Sequence, residues 1–367
     1  PSHLETDSHP PIEAMKDLAQ SLRDSRPDLS TLTLAELVAR ARTMQNPTVQ
    51  IFEQHVWASL AGSNGPAILG GLLAELGRES DVVKLLTGIG NVDSAEIGRE
   101  LWTLSRIIRS SESMTAHFEE HSPNIDIGQL SEEFRSSLEG FLYRHGSRGP
   151  NEWDPGSDTY ESNLSLTFSQ LDVIRKQDDS ADPLIAFERN ALERERLREE
   201  FEGIFGDNEE ALAMFNVGMK AGELWMALRE RNKCSAVKPI HEARMCINEI
   251  ADRMVKAGHI ETRKQIYMLL EEEVDSYIED PSNYTDVLHE RENDYKLLFD
   301  LDPPFIVNTV CPPLSEWPKK SDIQYSPVSV GEIIEGNACS PGTCTGKAKV
   351  ILDASDPSAL EPGEILV

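Results

Sequence analysis

The sequence has 367 residues, a length at which a single hydrophobic core becomes uncommon, so two domains are the default expectation. Apolar residues make up 39% and charged residues 27%, and no apolar run is long enough to cross a bilayer, so we expect a folded protein outside the membrane. The net charge of −29 repels phosphate backbones and anionic lipid. These properties exclude nucleic acid and membrane as expected partners and favour small molecules or other proteins.

The cysteines and the N-terminus indicate the compartment. The chain has 5 cysteines without a CxxC pair, which is too few and too scattered for a disulfide framework. We therefore expect reduced thiols and a cytoplasmic location. The first residues, PSHLETDSHPP, do not resemble a signal peptide, and the initial proline indicates a cut.

Apolar periodicity predicts helices nearly throughout residues 12–298. Thr33 and Glu36 have the spacing of a capping box at a helix start. Gly146 follows the apparent helix EGFLYRH and suits a left-handed C-cap. Asp302 and two following prolines stop the last long helix, because proline lacks the amide hydrogen that a helix needs.

Three segments depart from the helical pattern. Residues 145–162 are rich in Gly, Pro and Asp, and a loop of this length is uncommon in a compact domain unless it is functional or disordered. A proline-rich connection follows Leu301. Two short β-type runs, KAKVIL at 347–352 and EILV at 364–367, then predict two strands joined by a turn or short helix.

The helix predicted over about 209–249 carries two cations on a stripe that otherwise looks apolar. Three- and four-residue steps place the following residues on that stripe: Leu212, Phe215, Met219, Gly222, Met226, Arg229, Lys233, Ala236 and Ile240. Arg229 and Lys233, one turn apart and with Glu230 beside them, suit phosphoryl transfer, since two cations neutralise phosphoryl oxygens and a carboxylate accepts a hydroxyl proton. The same run is also typical of a solvated helical turn, and the pattern alone favours that interpretation.

Two further groups are candidates for substrate contacts. Met219, Trp225 and Met226 could line an apolar acceptor pocket, although core packing explains each residue equally well. His145, Arg148 and Glu152 lie where a helix end meets glycines, which suits an anion or acceptor site. The alternative for these three is a capped helix end with a surface histidine.

No sequence motif predicts a metal or nucleotide site within the chain. The CSPGTCTG segment lacks the further histidines or cysteines that a zinc site needs, and His241 and His259 have no metal-ligand neighbours in sequence. The chain also lacks a Walker loop, a dinucleotide-binding glycine fingerprint and an HExxH motif. We therefore expect no metal ion and no ATP bound by this chain itself.

The C-terminal segment GNACSPGTCTGKAKVILDASDPSALEPGEILV resembles the start of the mobile phosphohistidine domain of PEP-utilizing enzymes. In that family the segment continues to a glycine-rich turn that bears the phosphate-carrying histidine. Here the chain ends at Val367, before that turn. The resemblance implies that the carrier histidine and the remainder of the phosphohistidine domain lie outside this chain.

The helical part is similar to the acceptor-binding domain of rifampicin-phosphotransferase-like members of the family. Three passages carry the likeness: GNVDSAEIGRELW at 90–102, FLYRHGSRGPNE at 141–152, and RERNK at 229–233. In those relatives an Arg-Glu-x-x-Lys helix faces the incoming phosphohistidine. The resemblance therefore implies an active-site role for Arg229, Glu230 and Lys233, and places His145 and the Arg148–Glu152 loop at the border of the site.

Together these observations predict a mainly α protein. We expect a helical acceptor-binding domain at 1–320, a linker at 321–335, and at 336–367 the first strands of an α/β swivelling domain. The resemblance implies transfer of phosphate from a phosphohistidine to a hydroxyl of a phenol, an aromatic alcohol or a rifamycin-like antibiotic, with Glu230 or His145 accepting the proton. It also implies that an ATP-grasp domain or subunit, outside this chain, binds ATP and Mg²⁺.

Two alternatives remain open from the sequence. One is a phosphoenolpyruvate synthase-type enzyme, which shares the phosphohistidine domain. The other is a non-catalytic helical subunit that docks an ATP-grasp partner, for which an acidic surface is suitable.

Overall fold

The computed structural model describes residues 9–90, 92–322, 329, 331–335, 343–351, 360–361 and 363–367. Within these residues the protein is mainly α, which confirms the predicted class. The helices are α1 Pro10–Asp24, α2 Leu34–Thr43, α3 Gln45–Gly62, α4 Asn64–Ala74, α5 Asp81–Leu85, α6 Asp93–Ser110, α7 Glu112–His121, α8 Glu132–His145, α9 Leu164–Arg175, α10 Pro183–Phe205, α11 Glu209–Ala257, α12 Val274–Glu279 and α13 Thr285–Leu297. No described helix is long and apolar enough to cross a membrane.

Helix α11 is the centre of the fold. It has 49 residues, and at about 1.5 Å per residue it is about 74 Å long. The Asn208 side chain caps its start by accepting from the Ala211 amide, and Gly258, with φ of 78°, provides a left-handed end. The predicted end near Glu249 was therefore two turns short. Pro239 lies inside the helix without ending it, because packing on both sides holds the chain there.

Successive parts of α11 are buried by different partners. The first third packs against α4, α5 and α10 through a cluster that includes Phe201, Phe215 and Met219. The middle packs against α1 and α3, and the last third packs against α2, α12 and the 260–269 segment. Helices α6 to α9 bury a separate core around four phenylalanines. The long helix therefore links several small cores into one structure.

The α4–α11 crossing depends on three glycines. A Cβ atom built on Gly65 would lie 2.3 Å from the Gly222 nitrogen and 2.9 Å from the Gly218 oxygen. The two backbones therefore approach closely enough to exclude any side chain at this point. The crossing fixes the part of α11 that leads into Arg229.

Both helix-end predictions can be compared with the structure. The capping box at Thr33 and Glu36 is confirmed, with both reciprocal hydrogen bonds present. The left-handed C-cap at Gly146 was wrong, because Gly146 has φ of −57° and stays right-handed. Glycine is required there for space, since a Cβ would lie 2.2 Å from the Leu142 oxygen and 2.7 Å from the Glu161 Cβ.

The C-terminal strands are present where the sequence placed them, although they are shorter. Strand β1 is Lys347–Lys349 and strand β2 is Glu364–Leu366, and the two pair in parallel with Lys347 opposite Glu364. The ACSPG motif, residue Leu352 and most of the predicted turn between the strands lie outside the described residues, as does part of the predicted linker. The domain boundaries at 320 and 335 stay predictions.

Candidate functional site

The Arg-Glu-x-x-Lys turn of α11 lies at the protein surface rather than in a closed core. Arg229 is 47% exposed in its side chain and donates from Nη1 to Glu230 Oε1 at 2.9 Å. Lys233 is 28% exposed, and its Nζ lies 3.2 Å from Glu152 Oε1. The stripe predicted to pack inward therefore reaches solvent at these residues. The two cations remain accessible to an anion from outside.

The loop between α8 and α9 brings Arg148 and Glu152 to this turn. Arg148 Nε donates to Glu152 Oε2 at 2.7 Å, the Gly149 amide donates to the same oxygen, and Arg148 Nη1 lies 2.7 Å from Cys234 Sγ. Burial alone would raise the pKa of Glu152, but the hydrogen bond from Arg148 and the charge of Lys233 lower it below its usual value. Glu152 is thus a buried anion that holds Lys233 on one side and Arg148 on the other.

The loop itself is held in place by α11. Arg244, which is 1% exposed, donates from Nη2 to the carbonyl oxygens of Glu152 at 2.9 Å and Asp154 at 2.8 Å. Its Nε donates to the Pro155 oxygen at 3.0 Å. A backbone hydrogen bond holds the two ends of the loop together, in which the Tyr160 amide donates to the Arg148 carbonyl oxygen at 2.9 Å. A single buried guanidinium therefore donates to three loop carbonyls, of which that of Asp154 also accepts from the Ser157 amide at 3.1 Å.

His145 makes its side-chain contact with Glu100 on α6. Its Nε2 lies 3.2 Å from Glu100 Oε1, and Arg144 pairs with the other oxygen of the same carboxylate. Burial lowers the pKa of His145 below its usual value, although Glu100 opposes this shift. The structure thus brings Arg148 and Glu152 to Lys233, while His145 is engaged by Glu100.

The three residues predicted to line an acceptor pocket pack in two different places. Met219 is 4% exposed within the α4–α10–α11 core, and Met226 packs against that same cluster. Trp225 packs instead with Ile12 and Leu228 between α1, α3 and α11. The three side chains therefore do not surround a common space, and core packing accounts for Met219.

An aromatic group beside the cations was missed by the sequence analysis. The His55 ring lies 5.6 Å from the Trp153 ring, and Phe52 lies 5.8 Å from Trp153 in an edge-to-face arrangement. Burial and the positive charges of Arg229 and Lys233 lower the pKa of His55. His55 Nδ1 is buried without a hydrogen-bond partner in the described part of the chain.

Helix α3 also presents an exposed apolar face, which meets the aromatic group at Phe52. The exposed apolar residues of this helix are Val49, Phe52, Val56, Trp57 and Leu60. A Cβ on Gly62, on the buried side of α3, would lie 3.9 Å from Arg229 Cδ, so the end of this helix lies against the cationic turn. Of the exposed face, Phe52 adjoins this region, because its ring packs against His55 and Trp153. The three- and four-residue spacing of Val49, Phe52, Val56 and Leu60 was readable in the sequence. The exposure of this face could not be read from the sequence, because an apolar stripe with helical spacing usually marks a buried face.

Among the described residues, no group of three or more His, Cys, Asp or Glu side chains could hold a metal ion.

Comparison with known proteins supports a relation to phosphotransferases. Residues 54–230 match the family model described as the rifampicin phosphotransferase fourth domain. A rifampicin phosphotransferase from a Streptomyces species is 24% identical over 92% of this chain and 41% of that protein. An uncharacterized phosphotransferase, YvkC from Bacillus subtilis (strain 168), is 23% identical over 77% of this chain and 35% of that protein. The chain thus spans about two fifths or less of the length of these relatives.

Proposed function

Because the chain belongs to the PEP-utilizing phosphotransferase-like family, we propose that its helical part binds the acceptor in an ATP-dependent phosphotransferase. The reaction moves phosphate from a phosphohistidine to a hydroxyl of an organic substrate. The observation that supports this proposal best is the position of the Arg229–Glu230 pair and Lys233, accessible on α11 beside the aromatic group of His55, Trp153 and Phe52. Charge for the phosphoryl group and apolar surface for the acceptor thus lie side by side.

In the proposed step the N–P bond of the phosphohistidine breaks and a P–O bond to the acceptor oxygen forms. The electron pair of the N–P bond returns to the imidazole, and the hydroxyl proton leaves the acceptor. Arg229 and Lys233 contact the phosphoryl oxygens and neutralise their charge, while Glu230 accepts the proton. We assign this role to Glu230 rather than His145, because Glu230 lies in the same helical turn as Arg229 and Lys233, whereas His145 Nε2 is hydrogen-bonded to Glu100 on α6.

Arg148 and Glu152 act as positioning residues in this proposal. Glu152 holds the Lys233 ammonium at 3.2 Å, and Arg148 holds Glu152 at 2.7 Å. The loop carrying both residues is fixed by Arg244. Such preorganisation keeps the cation aimed at the phosphoryl group without a conformational cost during transfer.

The acceptor class follows from the apolar surface. Phe52, Trp57 and Leu60 on α3 are between 46% and 67% exposed, and Trp153 lies against Phe52. Aromatic side chains at this place suit a phenol, an aromatic alcohol or a rifamycin-like antibiotic better than pyruvate. The α3 face thereby takes the role that the sequence suggested for Met219, Trp225 and Met226.

The remaining components belong to other parts of the system in this proposal. An ATP-grasp domain or subunit would bind ATP and Mg²⁺ and phosphorylate the carrier histidine. The mobile phosphohistidine domain, whose opening resembles the C-terminal segment of this chain, would carry the phosphate to α11. In this proposal the partners of the chain are therefore a small molecule with a hydroxyl group, the ATP-grasp domain or subunit, and the phosphohistidine domain.

The test is a pair of substitutions, Arg229→Ala and Lys233→Ala, in the chain combined with its ATP-grasp and phosphohistidine parts. We expect acceptor phosphorylation to fall by about 10²-fold or more, because each change removes a cation from the developing charge. Histidine phosphorylation by ATP should be unchanged. Lys256→Ala, an exposed lysine in the last turn of the same helix, is the matched control and should retain full transfer.

Product mass from a panel of phenols, aromatic alcohols, rifamycins and pyruvate identifies the acceptor. Undiminished transfer in both alanine variants would overturn the role of this turn. If phosphoenolpyruvate is the single product, the synthase-type alternative is favoured. If the histidine is phosphorylated but no phosphate reaches any acceptor, a docking subunit is favoured.

A further inference from the structure

A cavity of about 250 Å³ lies at the other end of α11, among α2, α12 and the 266–271 segment. Its walls are mainly aliphatic, with Val38 and Ala41 from α2, Ile247 and Ile250 from α11, and Val274 from α12. A dry cavity of about 150 Å³ with such walls holds one benzene ring. The space is therefore large enough for a molecule of one or two rings.

Within the described residues, the Tyr277 hydroxyl in the cavity wall lacks a hydrogen-bond partner. Tyr277 is 1% exposed and lines the cavity, and its hydroxyl has no hydrogen-bond partner in the part of the chain that the structure describes. The neighbouring Tyr267 is already satisfied, because its hydroxyl bonds to Asn248 Oδ1 at 2.9 Å. A buried hydroxyl without a partner is costly, so a ligand oxygen that accepts from Tyr277 would remove that cost.

The rim of the cavity disfavours anions. The positively charged side chain at the rim is Arg42. Its Nε lies 2.7 Å from Glu271 Oε1 and its Nη1 lies 2.8 Å from Asp275 Oδ1, so its charge is already paired. Two carboxylates face one guanidinium, and the whole chain carries a net charge of −29. An anionic ligand would therefore meet repulsion, and the described residues of this rim offer it no unpaired cation.

We propose that this cavity binds an uncharged, mainly apolar molecule of one or two rings whose oxygen accepts a hydrogen bond from Tyr277. The site is separate from the Arg229–Lys233 turn, and the proposal does not depend on phosphotransfer. Pro155 lines the cavity and belongs to the loop that carries Glu152, so the two sites share one structural element.

The experiment uses three probes of similar size with the full chain. Acetophenone offers a ring and a carbonyl acceptor, isopropylbenzene has the same shape without the acceptor, and benzoate adds a negative charge. Binding is measured by ligand-observed NMR titration and by the shift in melting temperature. We expect acetophenone to bind most tightly, isopropylbenzene more weakly, and benzoate not at all.

Substitutions locate the binding. Ala41→Phe should fill the cavity and abolish acetophenone binding, whereas Ala39→Phe, exposed on the same helix, should not. Tyr277→Phe should weaken acetophenone about 5- to 10-fold and leave isopropylbenzene unchanged. Tyr284→Phe is its control, because the Tyr284 ring packs 5.7 Å from Tyr277 and does not line the cavity.

Several results would overturn the proposal. They are an absence of acetophenone binding, binding of benzoate as tight as that of acetophenone, retained binding in Ala41→Phe, or equal acetophenone affinity in Tyr277→Phe. The Tyr277→Phe comparison decides the question even if Ala41→Phe does not fold.

Discussion

Glu161 lies at the junction of α1, the 146–163 loop and α11, where it pairs with two arginines and accepts a hydrogen bond from one histidine. Arg26 Nη1 lies 2.7 Å and Arg23 Nη2 2.8 Å from its Oε1, and His241 Nε2 lies 2.7 Å from its Oε2. Burial alone would raise the pKa of Glu161, but the hydrogen bond from His241 and the charge of Arg26 lower it to about 2. The carboxylate is therefore more stable ionised in the folded protein than in the unfolded chain.

Glu161→Gln should lower the free energy of unfolding at pH 7, by on the order of 3 kcal/mol. Because the folded pKa is depressed, this contribution is complete above the unfolded value and disappears as pH falls through the folded value of about 2. The stability difference between wild type and variant should therefore shrink from about pH 4.5 downward. Urea unfolding at several pH values measures it, and a difference that grows on acidification would contradict the assignment.

His241 belongs to the same network and responds at higher pH. Burial lowers the pKa of His241 below its usual value. As the pH falls, this histidine is therefore protonated at a higher pH in the unfolded chain than in the folded protein. The contribution of neutral His241 to stability is thus present above about pH 6.5 and is lost as pH falls. We expect the melting-temperature advantage of wild type over His241→Asn to decrease from pH 7 to pH 5. An advantage that increases over this range would show that the charged form is favoured.

The α4–α11 crossing is the clearest packing constraint at the scale of elements. Gly65 meets the backbone of Gly222, and Gly222 in turn leaves room for Leu86, whose Cδ2 would lie 2.5 Å from an added Cβ. The Gly65 contact cannot relax by side-chain rotation, because it is made with backbone atoms of α11, whereas the Leu86 side chain opposite Gly222 can move. The position of the first half of α11 therefore depends on these residues.

Gly65→Ala should destabilise the protein by about 3 kcal/mol, since the new methyl group overlaps the Gly222 backbone. Gly70→Ala is the matched control on the same helix, because no atom of the described residues lies within 4 Å of its added Cβ. That control should be neutral or more stable by about 0.5–1 kcal/mol, through better helix propensity. Chemical denaturation measures both changes, and equal effects would disprove a close crossing.

At the scale of the whole molecule, α11 connects the candidate site with the more distant cores. It carries Arg229 and Lys233 near its middle, Arg244 about a quarter of its length from the C-terminal end, and Ile250 in the wall of the apolar cavity. The 146–163 loop is attached to it by Arg244 and Lys233. The geometry of the site therefore depends on contacts made far along one helix.

Arg244→Met should loosen the loop, because the carbonyls of Glu152, Asp154 and Pro155 each lose a hydrogen-bond donor. We expect faster amide exchange across residues 146–163 and a loss of stability on the order of 3 kcal/mol. Arg198→Met, which removes an exposed pair with Glu202, is the control and should leave the loop unchanged. Unchanged exchange in Arg244→Met would show that the loop is held by other contacts.

The sequence by itself determined the helical class, the Thr33 capping box, the positions of both short strands, and the loop between α8 and α9. These features depend on local periodicity, capping and turn chemistry, which operate within a few residues of the chain. The same local signals failed at Gly146, which stays right-handed and is enclosed by the Leu142 carbonyl of its own helix and by Glu161 from the far end of the loop.

Only the tertiary structure decided how the candidate residues are grouped. It paired Lys233 with Glu152 and His145 with Glu100, and it brought His55 and Trp153 beside the cations. It also left the apolar face of α3 exposed and buried Met219. Periodicity defines a face of a helix but not what covers it, because that depends on contacts between segments far apart in sequence.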